Sequence, residues 1–137
     1  MINSFEGKYA FLSNFYEHPI SNGEFVFPTN EHYFQAMKTT DPKKREAISK
    51  AETPGKAKKL GRSVDLRPDW EDIKLQVMET AVRIKFSDPE LAAKLVATGN
   101  EELVEGNWWN DTFWGVCNGV GENHLGKILM LVRADIR

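Results

Sequence analysis

A compact, mostly helical α+β fold in a single domain over residues 1–137, with a small antiparallel sheet near the N-terminus, is what this sequence predicts. Three observations carry that expectation. Apolar residues recur at helical spacing in segments that begin near residues 30, 70, 89 and 123. Asp41-Pro42, Thr53-Pro54 and Asp88-Pro89 each place a capping oxygen before a proline at the first helical position. Ser21-Asn22-Gly23-Glu24, between HPI and FVF, is a turn signal joining two short strands. An apolar content of 41%, with 11% aromatic residues, suffices for one core in a chain of this length, so no second domain is needed.

The aromatic-rich residues 5–27 hold the hairpin, preceded by FLSNFY, Phe11 to Tyr16. That alternation places Asn14 beside Phe11, Leu12, Phe15 and Tyr16, where a buried amide needs partners either in its own loop or on a ligand. In FPTNEHYFQAMK, Phe27 to Lys38, Thr29 or Asn30 caps a helix running from about residue 30 to about 40. Glu31, Gln35 and Lys38 stand at i, i+4 and i+7 on one stripe, and Tyr33, Phe34 and Met37 form the apolar stripe beside it. Taken alone, the polar stripe reads as a solvated face, since most helices have one, before it reads as a site.

Two short helices follow, over roughly residues 42–51 and 54–61. Between Lys43 and Arg62 lie Lys43, Lys44, Arg45, Lys50, Lys56, Lys58, Lys59 and Arg62, against only Glu46 and Glu52. This is either a pair of solvated helices or the side a phosphate-bearing ligand would approach. Arg67-Pro68-Asp69-Trp70 opens a long core helix to about Phe86, with Trp70, Ile73, Val77, Met78, Ala81, Val82 and Ile84 as its apolar face. The helix capped at Asp88 buries Leu91, Ala92, Leu95 and Val96 before Gly99 ends it. The last helix, from about Asn123 to Ala134, aligns Leu125, Ile128, Leu129 and Val132. Between these two, Leu103 to Gly126 holds Trp108, Trp109, Trp114, Asp111 and five glycines. So much aromatic surface and backbone freedom fits a binding loop, or a core filled where helix is absent.

The totals exclude some functions. A formal charge of −2 demands neither nucleic acid nor a membrane surface. No apolar run approaches the roughly 20 residues of a membrane span. One cysteine, Cys117, and a start without signal-peptide features predict a cytoplasmic protein. His18, His32 and His124 are scattered, so no metal and no cofactor are expected. Gly119, Gly121 and Gly126 lack the spacing of a dinucleotide or triphosphate loop, although backbone N–H groups near Asn123 are placed to receive a phosphate at the helix start. Serine and cysteine hydrolase arrangements are absent. A helix carboxylate, a nearby lysine, a loop carboxylate and aromatic faces remain. They suit cleavage at a sugar's anomeric carbon, where positive charge develops on the ring, and equally suit a binding pocket.

TNEHYFQAMK, FLSNFY, RPDW and the closing LVEGNWWNDTFWGV…GENHLGKILMLVR together resemble the YbiA-like, or NADAR, family, in the right order and over nearly the whole chain. The resemblance implies an intracellular N-glycosidase acting on ADP-ribose linked to guanine in DNA or RNA, in the manner of an antitoxin beside an ADP-ribosyltransferase toxin. The alternative it implies is cleavage of phosphoribosylamino-pyrimidine intermediates of riboflavin synthesis, a phosphoribosylated small molecule. A non-catalytic ADP-ribose-binding module is a third reading. Carried over by position, the family's glutamate falls on Glu31, its tryptophan on Trp70, its loop aspartate on Asp111 and its helix lysine on Lys38; Asn14 and Gly126 also match. The expected catalytic residues are Glu31, Lys38 and Asp111. The expected substrate contacts are Asn14, Gln35, Arg62, Trp70, Trp108, Trp114, Gly119, Asn123 and Gly126. Trp108-Trp109 is a heavier aromatic pair than the family pattern requires, and Met37 occupies a variable place.

Overall fold

Side-chain oxygens set the starts of four helices in the computed structural model, which describes residues 1–137. Thr29 accepts from His32 N to open α1 (Asn30–Ala36), and Asp41 accepts from Lys43 N to open α2 (Pro42–Ser49). Thr53 accepts from Lys56 N ahead of α3 (Pro54–Gly61), and Asp88 accepts from Leu91 N ahead of α5 (Pro89–Ala97). Three of these helices carry proline at their start, where its missing N–H costs nothing. The remaining two are α4 (Trp70–Lys85) and α6 (His124–Ile136), and a short 3-10 helix spans Gly7–Leu12. The fold is therefore α+β and mostly helical, as the apolar periodicity predicts.

Residues Asn14–Lys85 form one compact unit. Its hairpin pairs β1 (Ile20–Ser21) with β2 (Val26–Phe27), antiparallel, with Ile20 opposite Phe27. Asn22 Oδ1 closes the turn by accepting from Glu24 N and Phe25 N, and Gly23 takes the φ of +88° the turn requires. Helix α1 packs against α2, α3 and α4, and every one of its residues is buried. It stops at Ala36, short of the expected end near residue 40. The cause is local: Lys38 N and Thr39 N turn back to Gln35 O and Ala36 O in tight i−3 bonds, and the chain must extend before Pro42. Lys38 thus sits in a turn, its carbonyl accepting from Arg67 N at 2.8 Å. In α4, Trp70, Met78, Ala81 and Val82 are buried as the spacing predicts, whereas Ile73, Val77 and Ile84 are half-buried. Lys85 is buried in their place, its ammonium 5.3 Å from the centre of the Tyr16 ring, and burial pushes its pKa down to about 7.

Residues Met1–Ser13 and Phe86–Arg137 form the second unit. Ile2 bridges to Leu103 through Ile2 N–Glu102 O and Val104 N–Ile2 O bonds, both 2.8 Å. Helix α5 packs on α6, burying Leu91 and Leu95 from one and Leu125, Ile128, Leu129 and Val132 from the other. The stretch expected to be an aromatic loop contains a second, parallel strand pair, β3 (Gly106–Asn107) with β4 (Val116–Cys117). Two-residue strands carry too few positions for an alternating pattern, so nothing in the sequence announces them. No helix of the chain is long and apolar enough to cross a membrane.

Candidate active site

In the first unit the polar stripe of α1 is not a solvated face. Glu31 and Gln35 are 8% and 3% exposed, because α2, α3 and α4 cover α1 on several sides. Gln35 Nε2 donates to Glu31 Oε2, and Glu31 N donates to Asn14 O at 3.0 Å, so a side chain and the buried Asn14 loop hold the carboxylate residue from two directions. The close approach of α3 depends on Gly61, since a Cβ there would overlap the Gln35 amide. A glycine inside a helix costs about 1 kcal/mol against alanine, and Gly61 in AKKLGR is the one sequence signal of this contact.

Lys38, half-buried at the end of the α1 turn, lies with Nζ 5.8 Å from the centre of the Phe34 ring. Phe34 in turn meets Trp70 edge-on, ring centres 5.0 Å apart. Trp70 is therefore a buried brace for the ring beneath Lys38. Burial holds the Lys38 pKa below its ordinary value; the Glu31 carboxylate pulls it up, and the Arg62 and Lys58 cations push it down again. Burial therefore favours the neutral form of this amine, the form that acts as a nucleophile, while Glu31 opposes that shift.

The second unit holds the other expected residues. Asn107 organises the loop: its Oδ1 accepts from Asp111 N, and its Nδ2 donates to Asp111 O, with further bonds to the Glu105 and Val116 carbonyls. Asp111 Oδ1 accepts from Phe113 N (3.2 Å) and Trp114 N (2.9 Å), so the carboxylate shapes its own turn. Trp114 is half-buried against Phe113, centres 4.8 Å apart, whereas Trp108 is 83% exposed with Trp109 edge-on to it. Gly119 is exposed at φ +77°.

Asn123 and Gly126 do structural work. The Asn123 amide accepts from Glu105 N and donates to Leu103 O, and a Cβ on Gly126 would overlap Leu103 O and that same amide. The phosphate seat expected at the start of α6 is filled by the chain itself: Asn123, His124 and Leu125 N–H groups donate to the carbonyls of Gly115, Phe113 and Trp114. A loop folded back onto a helix start supplies the acceptors an anion would have supplied. Sequence reasoning passed over Asn107, whose four-residue spacing to Asp111 was the available signal, and the tether of His32, whose Nε2 donates to Ala51 O at 2.9 Å.

The class of protein these features define is a helical α+β domain in which an oriented, buried glutamate on α1 is followed by a half-buried lysine at the end of that helix. Residues 3–137 match the NADAR domain, and the chain belongs to that family. It is 45% identical to the N-glycosidase YbiA of Shigella boydii over 132 residues, covering 93% of this chain and 82% of the relative. It is 41% identical to a riboflavin biosynthesis protein of Vibrio vulnificus, covering 94% of this chain but only 36% of that longer protein. The NMR structure of the Escherichia coli protein YbiA superimposes with a TM-score of 0.86 at 41% identity, covering 99% of this chain and 86% of that one.

Proposed function

We propose that this protein is an N-glycosidase that hydrolyses the C1′–N bond between ADP-ribose and the exocyclic amine of guanine in nucleic acid, reversing the work of an ADP-ribosyltransferase. The N-glycosidase names of its relatives support the reaction class. The observation that carries the route is Lys38, an amine depressed by burial and within electrostatic reach of Glu31. Ring opening of the glycosylamine gives an imine at C1′. Lys38 Nζ adds to that carbon, its two protons pass by way of the Glu31 carboxylate to the base nitrogen, and the base leaves as the free amine with the C1′–N bonding pair, giving a C1′–Nζ imine. Water then adds to the new C1′–Nζ imine, its two protons return to Nζ by way of Glu31, and the sugar leaves as the aldehyde with the Lys38 amine and the Glu31 carboxylate restored. Direct displacement by water, with carboxylates alone, is the competing route.

Borohydride reduction during turnover tests this. A covalent sugar adduct is expected on the wild type and absent from Lys38→Ala, with base release lost as well. A fully active Lys38→Ala protein would sink the lysine route. Asp111→Asn separates two roles: asparagine keeps an Oδ1 acceptor for Phe113 N and Trp114 N, so a loss of about a hundredfold marks acid–base work and near-full activity marks a turn-forming role.

A second reading, cleavage of a phosphoribosylamino-pyrimidine of riboflavin synthesis, is favoured by the name of the Vibrio relative. Following base release from both substrates decides between them. Binding of ADP-ribose without release from either would leave the third reading, a binding module.

A further inference from the structure

We propose that Lys58 and Arg62 of α3 form a seat for the 5′-phosphate of the ribose whose C1′ reacts at Lys38. This rests on the N-glycosidase reading and adds the group by which the sugar is held. The geometry begins with the inward ridge of α3. Ala57 is fully buried and Gly61 lies against Gln35, so these two residues, one turn apart, face α1. Lys58 and Arg62 each follow one residue later, so they stand four apart on a shared neighbouring face of a helix that packs against α1. Their charges register at the Lys38 amine, as does that of Glu31.

Several cations of the basic segment have no carboxylate partner, Lys43, Lys44 and Lys59 included, but of these only Lys58 and Arg62 also bear on Lys38. Lys50 pairs with Glu46, Lys56 with Glu52, and Arg45 with Glu24. Lys38, Lys58 and Arg62 have no carboxylate within ion-pair distance. The one acid bearing on the group, Glu31, already receives the Gln35 amide. Lys58 and Arg62 thus bring two positive charges that the Gln35-bonded Glu31 does not pair, and a phosphate dianion or a diphosphate offsets them. Both candidate substrates carry phosphate on C5′, across the ribose from the reacting carbon. The seat therefore selects phosphorylated over plain ribosides and leaves the choice between the two substrates to whatever holds the remainder of each molecule.

Calorimetric or NMR titration with ribose 5-phosphate, and with unphosphorylated ribose, tests the seat without requiring turnover. The wild type is expected to bind the phosphosugar and not ribose. Lys58→Gln and Arg62→Gln should each weaken that binding by roughly tenfold, as expected for a lost charge-assisted bond. Lys44→Gln, the same charge change on α2, should leave it unaltered. In turnover the two variants should raise KM while kcat stays within a few-fold, and the charge-keeping Arg62→Lys should recover most of the loss and report that the fold is intact. Equal affinity for ribose and ribose 5-phosphate, or unchanged phosphosugar binding in the Lys58→Gln/Arg62→Gln double variant, would overturn the seat. Phosphosugar binding that follows this pattern, with no base released from either substrate, would keep the seat and reject the N-glycosidase reading.

Discussion

Opposing influences meet at Lys38. Burial lowers its pKa from 10.5, the two α3 cations lower it further, and Glu31 alone raises it. If the free amine attacks, base release rises with pH through that lowered value and levels off above it. Lys58→Gln removes one of the depressing charges, so the rising limb should move to higher pH; a limb that stays fixed in a rate–pH profile at saturating substrate would exclude Lys58 as a neighbour. His32 supplies a second titration, in stability. Its Nε2–H donates to Ala51 O and its Nδ1 accepts from the Thr29 hydroxyl, so the folded state requires the neutral ring, and burial lowers its pKa below 6.5. The unfolded chain then takes up the proton first. The contribution is complete above about pH 6.5 and is lost as pH falls from there toward the folded-state value, at no more than about 1.4 kcal/mol per unit. Urea midpoints should fall between pH 7.5 and 5, and fall less in His32→Gln.

At the scale of elements, the α1–α3 contact fixes Glu31 through Gln35, and Gly61 makes it possible. An exposed helical glycine changed to alanine gains up to about 1 kcal/mol. Gly61→Ala should instead lose about 1–3 kcal/mol, because the new methyl overlaps the Gln35 amide and the buried residue has nowhere to swing. Thermal melts give the sign, and activity should drop further than stability, since the displaced amide no longer orients Glu31. A Tm at or above that of the wild type would show that α3 yields instead. This contact also marks what the sequence made legible. Capping residues and helical periodicity located every α-helix, because caps and spacing are local properties. Glu31 and Gln35 as a stripe were readable too, but their burial was not, since it depends on three other helices covering α1. The free N–H groups expected at the α6 start met the same limit: a free helix terminus is a local inference, and the loop that satisfies it folds back from ten residues upstream.

For the whole molecule, charge is segregated along the chain. Residues 43–62 hold eight basic and two acidic residues, and the other 117 hold ten basic and eighteen acidic. A long duplex footprint would set phosphates against that acidic remainder, so few backbone contacts are expected to contribute. If Lys58 and Arg62 provide the principal phosphate contacts, they bind the substrate's own sugar phosphate and not the polynucleotide backbone, so log KM for an ADP-ribosylated oligonucleotide should rise only shallowly with log salt. The isolated ADP-ribosylated nucleoside, which carries the same 5′-phosphate, should show nearly the same slope and a KM within about tenfold, because an extruded nucleotide brings its own contacts with it. A slope of six or more confined to the oligonucleotide would mean that a phosphate track extends well beyond α3, and neutralising Lys43, Lys44 and Lys50 together would then lower it. A slope unchanged by that triple replacement and reduced by Lys58→Gln would assign the electrostatic attraction to the substrate's own sugar phosphate.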